Sequence, residues 1–269
     1  MIEIRNVLSS EINLLQNFPP EDWNLDLSKF ISFHFGFDYF YPIAAELENK
    51  IAGFGNGILN ANTGWVGNII VLPEYRRQGI GFELTVRLVD YFKTKGCSSQ
   101  LLVASEMGKN IYSRIGFRTA ANYNVYKTDE AAVFYPDSSG IRPAEMKDYL
   151  YIKKLDSEIT GEKRSGFIER FFSTAFIYET NKFIEGFYLP DLGAGFIAAE
   201  NPDAGLELLK FKLSRNSLNI VVPAGNKTAN KFLKDSGFQL LRVMPRMVLG
   251  ENVPWKPELI FSRGAGYCG

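Results

Sequence analysis

Apolar and polar positions alternate from the start of the chain. "IEIRNV" (Ile2 to Val7) has a period of two and predicts a strand. Residues Glu11 to Phe18 carry a helical spacing that stops at Pro19-Pro20. A second helix is predicted over Asp22 to Phe33 ("DWNLDLSKFISF"), with Asp22 as its cap. "YPIAAELENKIAGFGNGILN" alternates again and turns at Glu48-Asn49-Lys50, which predicts a hairpin. "TGWVGNIIVLP" (Thr63 to Pro73) reads as a further strand. After it, Leu84, Leu88, Val89 and Phe92 recur at helical spacing, and Gly96 suits the helix end. "SQLLVAS" predicts a short buried strand, "GKNIYSRIGF" a brief helix ending at Gly116, and "FRTAANYNVYK" another strand.

This rhythm breaks over Thr128 to Gly140, where Pro136 and the polar cluster Asp137-Ser138-Ser139-Gly140 mark a domain boundary. The pattern then returns. "GIRPAE" (Gly140 to Glu145) is the counterpart of "IEIRNV". "NIVVPAGNKTANKFLKDSGFQLLRVMPRM" (Asn219 to Met247) is the counterpart of the stretch from Gln100 to Tyr126. Both run strand, loop, helix, Gly-Phe, strand, and Gly116-Phe117 aligns with Gly237-Phe238. Two domains are expected, 1–130 and 140–269, and 269 residues suit that number.

Composition narrows the function. Thirty basic residues balance thirty acidic ones, which argues against broad contact with nucleic acid or an anionic membrane. Two distant cysteines, Cys97 and Cys268, make no disulfide scaffold, and one histidine, His34, leaves no His-based metal site; no metal is expected. No apolar run reaches the ~18 residues of a membrane span. Met1 leads at once into a strand-like run and not into a signal peptide, so a soluble cytoplasmic protein is expected.

The chemistry concentrates in "LPEYRRQGIGFEL" (Leu72 to Leu84). A loop between strand and helix presents unpaired backbone N–H groups at the positive end of the helix dipole. Glycines let a ligand approach that backbone, and Arg76 and Arg77 add full charges, so the loop suits a phosphate. It lacks the Gly-Lys-Ser/Thr ending of a P-loop, and only Gly79-x-Gly81 of the dinucleotide fingerprint is present. In isolation the stretch also reads as a surface turn with two solvated arginines.

Together with its flanking elements, the stretch strongly resembles the GCN5-related N-acetyltransferase superfamily. The signature Gln/Arg-x-x-Gly-x-Gly/Ala stands here as Arg76-Arg77-Gln78-Gly79-Ile80-Gly81. The resemblance implies an α+β fold, a mixed, mostly antiparallel twisted sheet flanked by helices. It implies that Arg76, Arg77, Gln78, Gly79, Ile80, Gly81 and Phe82 surround the pyrophosphate of acetyl-CoA. Its pantetheine arm would lie in a gap where the strand Gly67 to Leu72 splays from Leu101 to Ser105, pairing near Ile70, Val71 and Leu72. A bulge on the first of these strands makes that gap in the family. "YSRIGF" carries Tyr112 four residues before Gly116, the position of a proposed general acid to the leaving thiolate. As a bare residue Tyr112 also reads as a core aromatic. The backbone N–H of Val71 is the implied oxyanion donor.

The whole chain is similar to tandem members of that superfamily, in which a catalytic N-terminal domain precedes a degenerate C-terminal one. The second half departs at the loop: "ENPDAGLELL" (Glu200 to Leu209) has no Arg, lacks the glycine pair, and carries Glu200 and Asp203. Leu233 stands where Tyr112 stands in the first repeat. One coenzyme site per chain follows, in the first domain.

The expected reaction is acetyl transfer to a primary amine of a small molecule by direct attack in a ternary complex. An alkyl amine is mostly protonated at pH 7, so a proton must leave it. The base is open. Asn68 orients but cannot deprotonate, and Trp23 falls where relatives line the acceptor pocket. Glu21, Asp22 and Glu106 are carboxylates within reach of the site, but each reads first as a cap or a solvated residue. His34, in the aromatic stretch "FISFHFGFDYFYP", reads first as a core histidine. Two other readings stand beside the enzyme: a non-catalytic coenzyme A sensor, and an acyltransferase acting on a peptide or protein amine. A homodimer is compatible with all of them.

Overall fold

In this computed structural model the described residues are 2–23, 25–128, 134–136, 138–215 and 219–268. They divide into two compact units. The first is 1–118 with 248–251, and the second is 119–247 with 252–269. The division falls upstream of the 128–140 segment, because the chain leaves the first unit before the strand at Arg118–Lys127 and returns to it near the end of the strand at Gln239–Gly250. Residues 129–133 and 137 of the expected linker lie outside the described residues.

The first unit opens with β1 (Glu3–Asn6), followed by a 3-10 turn over Ser9–Leu15 where an α-helix over 11–18 was expected. Helix α1 spans Leu27–His34. Its start corrects the expected cap. Asp26, not Asp22, is the N-cap, and its Oδ1 accepts the Lys29 N–H at 3.0 Å. The side chain of Asp22 lies outside the described residues. Strands β2 (Phe40–Leu47) and β3 (Lys50–Asn60) form the predicted hairpin, with Glu48 and Asn49 both at positive φ in its turn. Then come β4 (Thr63–Val71), α2 (Ile80–Thr94), β5 (Ser99–Val103) and α3 (Glu106–Ile115). The sheet runs β1-β2-β3-β4-β5. Its pairings are antiparallel except the last, which is parallel.

Helix α2 packs on a track of glycines. A Cβ on Gly55 would meet Ile69 at 2.7 Å, one on Gly57 would meet Phe92 at 2.7 Å, and one on Gly64 would meet the Phe92 ring at 2.3 Å. The absent side chains let the buried Leu84, Leu88 and Phe92 of α2 lie directly on the backbone of β3 and β4.

The second unit contains β6 (Arg118–Lys127) from Thr119 onward, β7 (Ile141–Pro143), α4 (Tyr149–Thr160), α5 (Ser165–Glu169), β8 (Phe176–Thr180) and β9 (Phe183–Leu189). It continues with β10 (Phe196–Ala199), α6 (Pro202–Leu213), β11 (Asn219–Pro223), α7 (Lys227–Asp235), β12 (Gln239–Gly250) as far as Met247, and β13 (Ile260–Ser262). Among the described residues β13-β10-β9-β8-β7 form an antiparallel sheet, and β12-β6-β11 run side by side. The series β5-α3-β6 and β11-α7-β12 have the same order, as the internal repeat predicts. Leu208, Leu209, Leu233 and Phe261 belong to the core of this unit. The fold is α+β, with one mixed and one antiparallel sheet flanked by helices.

Candidate functional site

Strands β4 and β5 pair over three residues, Thr63 to Trp65 against Ser99 to Leu101, and no further. Beyond Trp65 the remainder of β4 has lost its neighbour on that side. The other side is bulged. Phe54 pairs with Ile70 and Asn56 with Gly67, so Gly55 faces two residues, Asn68 and Ile69. Asn68 takes φ +50°, and its Nδ2 donates to Oδ1 of Asn56 at 2.8 Å. Past the bulge the Leu72 N–H donates to Ala52 at 3.0 Å. Alternate residues of a strand point their N–H groups to opposite edges. The N–H of Val71 therefore points away from β3, into the gap.

The loop after β4 builds an open helix N-terminus. Pro73–Tyr75 make a 3-10 turn, Arg77 takes φ +62° and Gly79 φ +85°. Gly79 is the N-cap of α2, and no side chain caps it. Only glycine holds that φ without strain, and a Cβ there would meet nothing within 4 Å. Among the described residues the N–H groups of 77 to 81 donate to no backbone carbonyl. Those of 79 to 81 are unpaired donors of the helix start, at the positive end of its dipole, and those of 77 and 78 precede them in the loop. Arg76 turns back, and its Nε donates to the carbonyl of Val71 at 3.1 Å. Gly81 faces inward: its Cβ would lie 3.7–3.8 Å from Val71, Ile69 and Ile111. Gly81 thus sits where the end of β4, the first turn of α2 and α3 come together.

Helix α3 is capped at its start by Ser105, whose hydroxyl accepts the Gly108 N–H at 3.2 Å, and at its end by Gly116. Tyr112 is 9% exposed and leans back over the first turn. A Cβ on Gly108 would sit 2.7 Å from the ring and 3.2 Å from the hydroxyl. The hydroxyl thus lies at the N-terminal end of α3, just past the end of β5. It has no hydrogen-bond partner among the described residues, and burial pushes its pKa up to about 12.

Trp23 is 38% exposed on a 3-10 turn, Glu21–Trp23, and no ring contact or side-chain hydrogen bond among the described residues joins it to β4 or α2. His34 is buried, bonded through Nδ1 to the Tyr39 hydroxyl at 2.9 Å and packed edge-on to Phe30 and Phe33. It is the core histidine that its apolar surroundings predict. Glu21 and Glu106 are exposed. No cluster of three metal-ligating side chains occurs among the described residues.

The corresponding place in the second unit is built differently. Pro202 opens α6 and has no N–H. The Asn201 side chain caps the helix by accepting the Ala204 N–H at 3.0 Å. Glu200, bonded by the Tyr151 hydroxyl at 2.5 Å, and Asp203 place negative charge beside this helix start. The gap is also filled. β13 pairs antiparallel with β10 through Ile197 and Ser262, and the Arg263 N–H donates to Val221 of β11 at 2.7 Å. The Asn226 side chain donates to Ile260 at 3.0 Å. The chain's own segment 260–263 therefore lies between β10 and β11, the strands equivalent to β4 and β5. Leu233 is fully buried and carries no hydroxyl. The acidic loop and Leu233 were legible in the sequence. The β13 wedge was not, because three residues carry no periodic signal.

Comparisons with known proteins agree across both units. A model of the acetyltransferase (GNAT) family matches residues 9–117, and a second model, an acetyltransferase (GNAT) domain, matches 152–262. A putative acetyltransferase from Pyrococcus horikoshii has the same fold with a TM-score of 0.82 at 22% identity, covering 100% of this chain and 96% of that one. A tandem GNAT protein from the clavulanic acid biosynthesis pathway superposes with a TM-score of 0.60 at 11% identity, over 93% and 98% of the two chains. In sequence, glucosamine 6-phosphate N-acetyltransferase from Trypanosoma brucei brucei is 34% identical over 55 residues, 20% of this chain. The chain spans 37% of the length of that relative. Among the described residues no helix is long and apolar enough to cross a membrane.

Proposed function

Because the chain belongs to the acetyltransferase (GNAT) family, with two such domains in tandem, we propose that its first unit takes acetyl-CoA and transfers the acetyl group to a primary amine of a small molecule. The observation that carries this reading is the contrast between the units. One helix start of the pair is uncapped beside an open gap, and the other is capped, acidic and wedged shut. The pyrophosphate is read onto the N–H groups of 77 to 81, with Arg77 beside them. The pantetheine arm is read along Ile70, Val71 and Leu72.

In a ternary complex the amine nitrogen attacks the thioester carbon directly. The carbonyl oxygen becomes an oxyanion, for which the inward N–H of Val71 is a ready donor. When the C–S bond breaks, the thiolate takes a proton from Tyr112, whose raised pKa keeps that proton in place until then. The proton lost by the amine leaves to solvent or to a carboxylate at the acceptor side. Asn68, held by Asn56, and Trp23 are the proposed acceptor contacts. A reducing cytoplasm fits the two buried free thiols, Cys97 and Cys268.

The test is a thiol-release assay with acetyl-CoA and a panel of small amines. One free thiol per acetylated amine is expected. Coenzyme binding without turnover on any amine or peptide would favour a sensor. Turnover on peptide amines alone would move the acceptor class.

A further inference from the structure

We propose that Arg114 binds the 3′-phosphate of the coenzyme's adenosine, so that the first unit distinguishes the coenzyme from its 3′-dephospho form. This rests on reading the first unit as the coenzyme site.

The N–H groups at the start of α2 are suited to the pyrophosphate, and the gap takes the pantetheine arm inward. The adenosine, on the other side of the pyrophosphate, must lie outward from the same helix start. Its 3′-phosphate is a dianion on the ribose, and it needs a cation that the backbone cradle does not provide. Arg76 is committed by its Nε to the carbonyl of Val71. Helix α3 supplies another. Ile111 lies 3.8 Å from where a Cβ on Gly81 would be, and Arg114 is one turn further along the same helix. The Arg114 guanidinium stands 5.5 Å from the centre of the Phe82 ring, the residue directly after Gly81. A second helix therefore delivers a full charge to the first turn of α2.

Two features make Arg114 suited to a phosphate. It forms no ion pair or hydrogen bond with any described residue, so its donors are uncommitted. Its packing on Phe82 also limits the rotamers it must give up, while the edge of the guanidinium stays open for two parallel N–H···O bonds. Lysine carries the charge but not that fork.

The test measures dissociation constants for acetyl-CoA and for 3′-dephospho-acetyl-CoA on four proteins: the natural chain, Arg114→Ala, Arg114→Lys and Phe82→Leu. The natural chain should prefer the 3′-phosphorylated ligand by roughly three- to tenfold, the range of an exposed charge-assisted contact. Arg114→Ala should abolish that preference and leave the affinity for the dephospho form unchanged. Arg114→Lys should retain part of it. Phe82→Leu, which removes the packing but not the charge, should also reduce it in part. Equal weakening of both ligands by Arg114→Ala, or no preference in the natural chain, overturns the proposal while the coenzyme site stands. If neither ligand binds the natural chain, the coenzyme site itself falls, and this proposal with it.

Discussion

The Nε of Arg76 donates to the carbonyl of Val71 at 3.1 Å. This bond ties the cationic loop back to the last residue of β4. It occupies the carbonyl of Val71 on the gap side and leaves the N–H of the same residue unengaged there. This bond holds the loop to the strand, and Gly81 leaves room for no more than a methyl group between its backbone and Val71, Ile69 and Ile111. An anion meeting the loop meets donors that are already oriented.

Gly79→Ala tests those donors. The residue sits at φ +85°, and an added Cβ points into open space, where a bound phosphate would lie. Stability should fall by about 1–2 kcal/mol from the left-handed backbone alone. Acetyl-CoA affinity should fall by at least about tenfold, because the added methyl keeps the anion off the helix start. Calorimetric titration of the folded variant checks this, and unchanged affinity would sink the cradle.

Tyr112→Phe separates binding from chemistry. The ring keeps its place over Gly108, so coenzyme affinity should stay within about twofold, while kcat should fall by about tenfold or more. With the pKa of Tyr112 pushed up to about 12, no falling limb in kcat from this residue is expected below about pH 10. Equal turnover in the variant would remove the acid role.

Stoichiometry distinguishes the two units. Titration with acetyl-CoA should give one site per chain. Two sites would mean that the wedge of β13 yields to ligand.

Lys212 gives the second unit a pH dependence. Its Nζ donates to Ser262 at 2.7 Å and Gly195 at 3.1 Å, and burial lowers its pKa from 10.5 to about 7. The folded chain therefore binds fewer protons than the unfolded chain between those values, and stability rises with pH across that window. The rise should approach about 1.4 kcal/mol per pH unit mid-window. Below about pH 7 both states are protonated and the contribution is flat. Lys212→Met should flatten the slope between pH 7 and 10, as urea unfolding at several pH values would show.

Gly64→Ala tests the packing of α2. The new Cβ would lie 2.3 Å from the Phe92 ring, so a cost of about 1–3 kcal/mol is expected. Adding Phe92→Leu should recover part of it. A single variant as stable as the natural chain would mean that α2 is free to shift.

Elements with strong local signals were legible in the sequence. The turn at Glu48-Asn49, the apolar face of α2, and the end of α3 at Gly116 needed only periodicity and backbone preference. The cap of α1 was misplaced from Asp26 to Asp22 because both aspartates precede apolar runs, and only the hydrogen bond to Lys29 separates them. The 3-10 turn at Ser9–Leu15 has the same apolar spacing as an α-helix, and tertiary packing decides between them.

The candidate site divides along the same line. The sequence alone determined which residues make the loop, that its second copy is acidic, and that Tyr112 has no equivalent at Leu233, because those are matters of residue identity and spacing. Tertiary structure decided that β4 leaves β5 after Trp65, that Asn68 bulges, and that β13 fills the equivalent gap in the second unit. It also decided that 248–251 joins the first unit. Strand pairing between distant segments is set by the edges and faces that remain once the local elements have formed, and that information is not carried by any short stretch of chain.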